Sequence, residues 1–161
     1  DYRLMQSIGK DRNTGIAVQP APGDGAEAYC DIDPDELAER IAELVNEERV
    51  KAGRSELEIN EELMENAGVR AEEASVRYYH SRPDGSSYNT VLTVPRYTSS
   101  ENLAKAPAAG DTEAMAWMMV EEWMESGGHR KNILNEKWTE TGVGVYEENG
   151  YIYISQLFIK N

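Results

Sequence analysis

Asn149-Gly150 is the pair that most restricts how this chain can fold. It separates Thr141-Gly-Val-Gly-Val-Tyr146 from residues 151–159, and Asn-Gly between two such runs is the strongest short signal for a two-residue hairpin. The chain therefore ends in two antiparallel strands. Gly142 and Gly144 leave one face of the first strand bare, so another element can approach that face closely. What precedes the hairpin has to cover it.

Helical patterns supply the cover. Asp33, Pro34 and Glu36 form a start signal, with Asp33 as cap, Pro34 in the first turn and Glu36 completing a capping box. The helix should span 34–51, with Leu37, Ile41, Leu44 and Val45 on one stripe and Gly53 as its stop. A second helix starts after Asn60 and buries Leu63, Ala67, Ala71, Ala74 and Tyr78. Residues 81–100 are irregular, and Ser100-Glu-Asn-Leu-Ala104 reads as a short strand. Thr112 then caps an apolar helix over 113–124, where Ala116, Met119, Val120 and Trp123 repeat at helical spacing. Trp117, Met118 and Met115 fill much of its other side, so burial on most faces is expected. Helices followed by antiparallel strands place the fold in the α+β class: a small antiparallel sheet covered by helices.

A chain of 161 residues is most simply one domain. Residues 1–30 read as a flexible or loosely docked extension, with strand-like residues 14–18 and a Pro20-Ala-Pro-Gly-Asp-Gly25 linker, and 31–161 as the domain. Beginning on Asp1, the chain is expected to be a processed or trimmed product, and residues 1–16 have no apolar core of the signal-peptide kind, so any such peptide is expected to have gone already. A net charge of -14 argues against nucleic acid and anionic lipid as partners, and no apolar run reaches the roughly 20 residues of a membrane span. Asp31, Asp33 and Asp35 do not make an EF-hand, because Glu36 and Ala42 stand where glycine and glutamate are needed.

The chemistry narrows by elimination. There is no nucleophile elbow, zinc helix, phosphate loop or cysteine pair, and Cys30, the one cysteine, lies in the linker-like arm. His80 and His129, the only two histidines, both sit where a helical pattern meets a turn, and neutral imidazole suits metal binding and proton transfer near pH 7. Each also has a structural reading: a cation closing a helix end for His80, and a helix-end histidine for His129, where a positive charge is disfavoured. Ser126 reads as a helix cap before Gly127-Gly128.

These residues carry a resemblance. His80 with Arg82-Pro-Asp-Gly85, then Ser100-Glu-Asn-Leu-Ala104, then Trp123 with Gly128-His-Arg-Lys-Asn-Ile-Leu134, then Gly142-Val-Gly144 and Gln156-Leu-Phe158, resemble the CAP superfamily. That group takes in cysteine-rich secretory proteins, antigen 5 and plant pathogenesis-related proteins, and the Gly-His-Arg form is similar to its bacterial, disulfide-free branch. The match covers residues 33–161. It implies an α-β-α sandwich with a wide cleft in which two histidines and two glutamates face one another, often around a divalent metal. His80, Glu101 and His129 match three of the four. The second glutamate is replaced by Ser126, and Glu125 beside it points elsewhere on a helix that turns by about 100° per residue.

The resemblance implies a metal site of His80, Glu101 and His129, with zinc as the first candidate and modest affinity in the absence of a fixed fourth ligand. Glu101 also has a bland reading, as an acceptor for loop amides. Two functions follow as expectations. One is a secreted, extracellular or cell-surface binding module for a small apolar or peptidic ligand or another extracellular protein. The other is a metal-dependent hydrolase, a peptidase, with Glu101 as the catalytic base.

Overall fold

The structure, a computed structural model, describes residues 30–161. The expected extension, its linker and the strand-like piece at 14–18 lie outside the described residues, apart from Cys30.

Helix α1 (Pro34–Lys51) starts on Asp33, whose Oδ1 accepts from the backbone N–H groups of Asp35 at 2.9 Å and Glu36 at 3.0 Å. The expected capping box is only half made. Asp33 donates its own N–H to Thr112 Oγ1 at 3.0 Å, which ties the start of α1 to the start of a later helix in place of Glu36. Leu37, Ile41, Leu44 and Val45 are all fully buried or nearly so, and Gly53 ends the helix with φ of 73°. Asn46 and Arg49 are buried on the same helix. Asn46 exchanges two hydrogen bonds with the backbone of Leu57, and Arg49 donates to the carbonyls of Ser55, Ile133 and Asn135.

A two-residue strand, β1 (Glu58–Ile59), leads into α2 (Glu61–Val76), capped by Asn60 Oδ1 on the Leu63 N–H. The helix stops at Val76, short of Tyr78. Tyr78 nevertheless packs with Ala74, Leu103 and Tyr153, so its burial survives the earlier stop. A 3-10 turn (Tyr88–Val91) precedes β2 (Thr98–Pro107), which is longer than the expected strand at 100–104. Helix α3 (Thr112–Glu125) is capped by Asp111, not Thr112: Asp111 accepts from the Ala114 N–H, and the Thr112 hydroxyl turns instead to the backbone of Asp31 and Asp33. Trp117 is 44% exposed, so α3 buries one face rather than most. Then come α4 (Gly127–Ile133), β3 (Glu140–Glu148) and β4 (Tyr151–Lys160).

The strands form one sheet in the order β1-β3-β4-β2. The pairs β3–β4 and β2–β4 are antiparallel as expected, and β1 adds a short parallel edge to β3. Asn149 and Gly150 close the hairpin with φ of 52° and 77°, the mirror-image turn that Asn-Gly favours. Helix α2 lies on one face, directly over Gly142 and Gly144. Helices α1, α3 and α4 cover the other through Leu37, Met115, Trp123, Ile133, Ile154 and Phe158. The result is the α-β-α sandwich.

Candidate functional site

Glu101 stands in the middle of β2, the edge strand of the sheet, with its side chain fully enclosed. Burial of an ionised carboxylate is costly unless it is paired and hydrogen-bonded. Here every acceptor position is used. Oε2 receives Arg70 Nε at 2.8 Å and Ser155 Oγ at 3.1 Å. Oε1 receives Arg70 Nη2 at 3.1 Å and lies 3.0 Å from His80 Nδ1. A carboxylate offers about four lone-pair positions and no donor. His80 therefore carries its proton on Nδ1, which leaves the lone pair on Nε2 facing outward on a side chain that is 62% exposed. This is the way a carboxylate fixes the tautomer and direction of a histidine.

The same arginine holds the segment that brings His80 in. Arg70, wholly buried on α2, reaches Glu73 at 2.8 Å and the Tyr79 carbonyl at 2.8 Å. Arg82 then clasps Glu73 with its Nε and Nη2, and the His80 carbonyl accepts from the Tyr88 N–H at 2.9 Å. Burial opposes the charges of this cluster, yet the contacts win. Arg70 binds its proton more tightly than an ordinary arginine, and Glu73 less tightly than an ordinary glutamate. Tyr78 is pushed up to about 12, first by burial and then by the charge of Glu101.

His129 arrives from the other face of the sheet. It is not at a break between helices but in the first turn of α4, because Gly127 and Gly128 belong to that helix. Asn102, next to Glu101 on β2, donates to the His129 carbonyl at 3.3 Å. Asn132 bonds the Asn102 side chain at 2.9 Å and the Glu101 carbonyl at 3.4 Å. The imidazole leans on Trp123, ring centres 6.3 Å apart, and its Nδ1 is buried with no hydrogen-bond partner. Burial lowers its proton affinity, and His80 lowers it further whenever that ring is protonated. His129 therefore favours the neutral form.

Ser126 occupies the N-cap position of α4 but makes no side-chain capping bond; its carbonyl accepts from the Arg130 N–H, and its own N–H closes α3 on the Glu122 and Trp123 carbonyls. Glu125 is exposed at the end of α3. Among the described residues, no group of three or more His, Cys, Asp or Glu side chains is gathered to hold a metal ion. The donors present fit such an ion in part. His80 Nε2 and the neutral His129 imidazole are suitable ligands for zinc, whereas Glu101 has no lone pair left to give.

Arg70, Ser155, Asn102 and Asn132 were absent from the sequence-based site. Asn102 and Asn132 stood inside the quoted motifs, and Arg70 falls at helical spacing on the stripe of Leu63, Ala67 and Ala74, where a cation needs a buried anion.

Comparison with known proteins agrees with the architecture. The sequence profile of the cysteine-rich secretory protein family, CAP, matches residues 42–158. The chain is 35% identical over 126 residues to the protein YkwD of Bacillus subtilis, covering 75% of this chain and 46% of that one. Among solved structures it is similar to an extracellular SCP-domain protein of Bacillus anthracis, with a TM-score of 0.66 and 26% identity over 80% of this chain and 41% of the other. It also resembles an outer surface protein of Borrelia burgdorferi in fold, with a TM-score of 0.68 and 18% identity over 80% and 96% of the two chains. The chain spans less than half the length of the YkwD and Bacillus anthracis proteins. Among the described residues no helix is long and apolar enough to cross a membrane.

Proposed function

The chain belongs to the cysteine-rich secretory protein (CAP) family, and on that premise we propose that it is an extracellular binding module centred on the His80 and His129 imidazoles. The observation that carries this reading is the saturation of Glu101: with four contacts on two oxygens, it orients His80. A general base needs a free lone pair, so the hydrolytic reading loses its only named base. Similarity to an extracellular Bacillus anthracis protein supports a place outside the cell.

In this reading His80 Nε2 and His129 hold a divalent ion, zinc in the first place, with remaining positions left to water or to a donor on the partner. Two protein ligands give modest affinity, below that of a closed four-ligand site. The partner is a small apolar or peptidic ligand, or another extracellular protein, presenting such a donor.

Calorimetric zinc titration tests this. Wild type should give a saturable heat, and His80→Ala/His129→Ala should abolish it. Glu101→Gln keeps the shape but weakens the hold on His80, and should cost about 10- to 100-fold in affinity, as loss of an orienting partner does. No heat in wild type, or unchanged heat in the double variant, would sink the proposal.

A further inference from the structure

The other edge of the sheet offers a second surface, unrelated to the histidines. Strand β1 pairs with β3 only at Glu140 and Thr141, which leaves the rest of that edge unpaired among the described residues. In a hairpin closed by two residues, alternate residues of β3 bond to β4 and the others point their backbone groups outward. The outward set starts at Thr141, whose carbonyl accepts from the Asn60 N–H, and continues at Val143, whose N–H meets Met64 Sδ at 3.0 Å. Val145 and Glu147 come next, and no backbone hydrogen bond outside the hairpin reaches either of them among the described residues.

An open strand edge invites a further strand. This one lies in a groove of about 500 Å³ with a partly apolar floor of Ala38, Met64, Val143 and Val145. Asp35 and Glu39 of α1 and Glu61 and Glu65 of α2 line it, all four solvent-exposed, and no lysine or arginine is among the lining residues. None of the four carboxylates makes an ion pair or a side-chain hydrogen bond with another described residue. Some acids elsewhere are matched, as where Arg40 holds Glu43, Glu47 and Glu113.

We propose that the free edge of β3 at Val145 and Glu147 binds an extended basic peptide segment as an added strand. Main-chain hydrogen bonds to Val145 and Glu147 supply the pairing, and the flanking acids select its charge. Helices α1 and α2 cover opposite faces of the sheet, so the acids stand on both sides of the added strand. Successive side chains of a strand point to opposite faces. Adjacent lysine or arginine residues would therefore each meet a carboxylate, and paired basic residues are the expected signature. A second copy of this chain is a poor occupant, because a net charge of -14 repels its own acidic groove.

The probe is the amidated peptide acetyl-Thr-Lys-Arg-Thr-Lys-Arg-Thr, titrated into the nitrogen-15-labelled protein. Amide shifts centred on Val145 and Glu147 are expected, weakening with added salt. Neutralising the four acids (Asp35→Asn, Glu39→Gln, Glu61→Gln, Glu65→Gln) should weaken binding at least tenfold. The same peptide N-methylated at alternate residues, used on the unaltered protein, should lose at least as much, because strand pairing needs its N–H groups. Four outcomes overturn the proposal: no shifts at millimolar peptide, shifts centred elsewhere, equal binding of the N-methylated peptide, or equal binding of a glutamate counterpart. Neither peptide experiment touches the imidazole pair, so its failure leaves the zinc reading standing.

Discussion

Arg70→Ala is expected to lower the unfolding free energy by about 3–5 kcal/mol, the range seen when one partner of a buried ion pair is removed. Arg70 and the Glu101 side chain are both wholly buried, and Arg70 also holds the mostly buried Glu73. Truncation strands Glu101 inside the protein with only Ser155 and His80 beside it. It also frees the Tyr79 carbonyl, one of the points that tie down the segment before His80. Arg70→Lys should recover part of the loss and no more. An ammonium restores the charge but cannot reach both carboxylate oxygens in the planar, two-pronged way of guanidinium. Urea unfolding at pH 7 measures both. A cost under about 1 kcal/mol for Arg70→Ala, the level of an exposed pair, would contradict the buried network.

Gly144→Ala should be comparably severe for a different reason. A Cβ on Gly144 would lie 2.1 Å from Ala67 C and Gly68 N, both backbone atoms of α2. Backbone cannot swing aside as a side-chain tip can, so α2 must lift from the sheet. Overpacking of cores costs about 1–3 kcal/mol, and occasionally more. With main chain against main chain, about 3 kcal/mol or more is expected, read as a lower urea midpoint. Lifting α2 also moves Arg70 and so disturbs the site from a distance. Gly53→Ala is the control: its Cβ meets nothing within 4 Å, and only its φ of 73° is strained.

These two positions show what was legible in the sequence. Gly142 and Gly144 stood out because alternate glycines leave a strand face bare, and α2 occupies that face. The hairpin and the start of α1 were equally local, written in Asn149-Gly150 and Asp33-Pro34. Boundaries set by distant contacts were not. Thr112 looked like a cap because its hydroxyl is of the right kind, yet Asp111 outcompetes it and Thr112 serves α1. Trp117 looked buried by composition alone, and is half outside beneath Lys51. The helix after Asn60 stops before Tyr78, because Arg70 draws in the Tyr79 carbonyl and the chain leaves the helical path.

The site divides the same way. Residues 80, 101 and 129 were singled out through ordered motifs; in the structure the His80 ring lies against the Glu101 carboxylate, and the backbone carbonyl of His129 accepts from the Asn102 side chain. What Glu101 does there was hidden. Its partners Arg70 and Ser155 lie 31 and 54 positions away in the chain, and no local pattern announces them. A carboxylate read as a ligand from its motif is, in the folded chain, filled by an arginine, a serine and a histidine.

With only two histidines in the chain, long-range proton–nitrogen NMR of the imidazoles tests the role of Glu101 most directly. His80 should show a protonated Nδ1 and a bare Nε2 at neutral pH, and Glu101→Gln should turn it into a mixture of tautomers. A protonated Nε2 on His80, or free-histidine averaging in the unaltered protein, would contradict the claim that Glu101 exists to aim that ring.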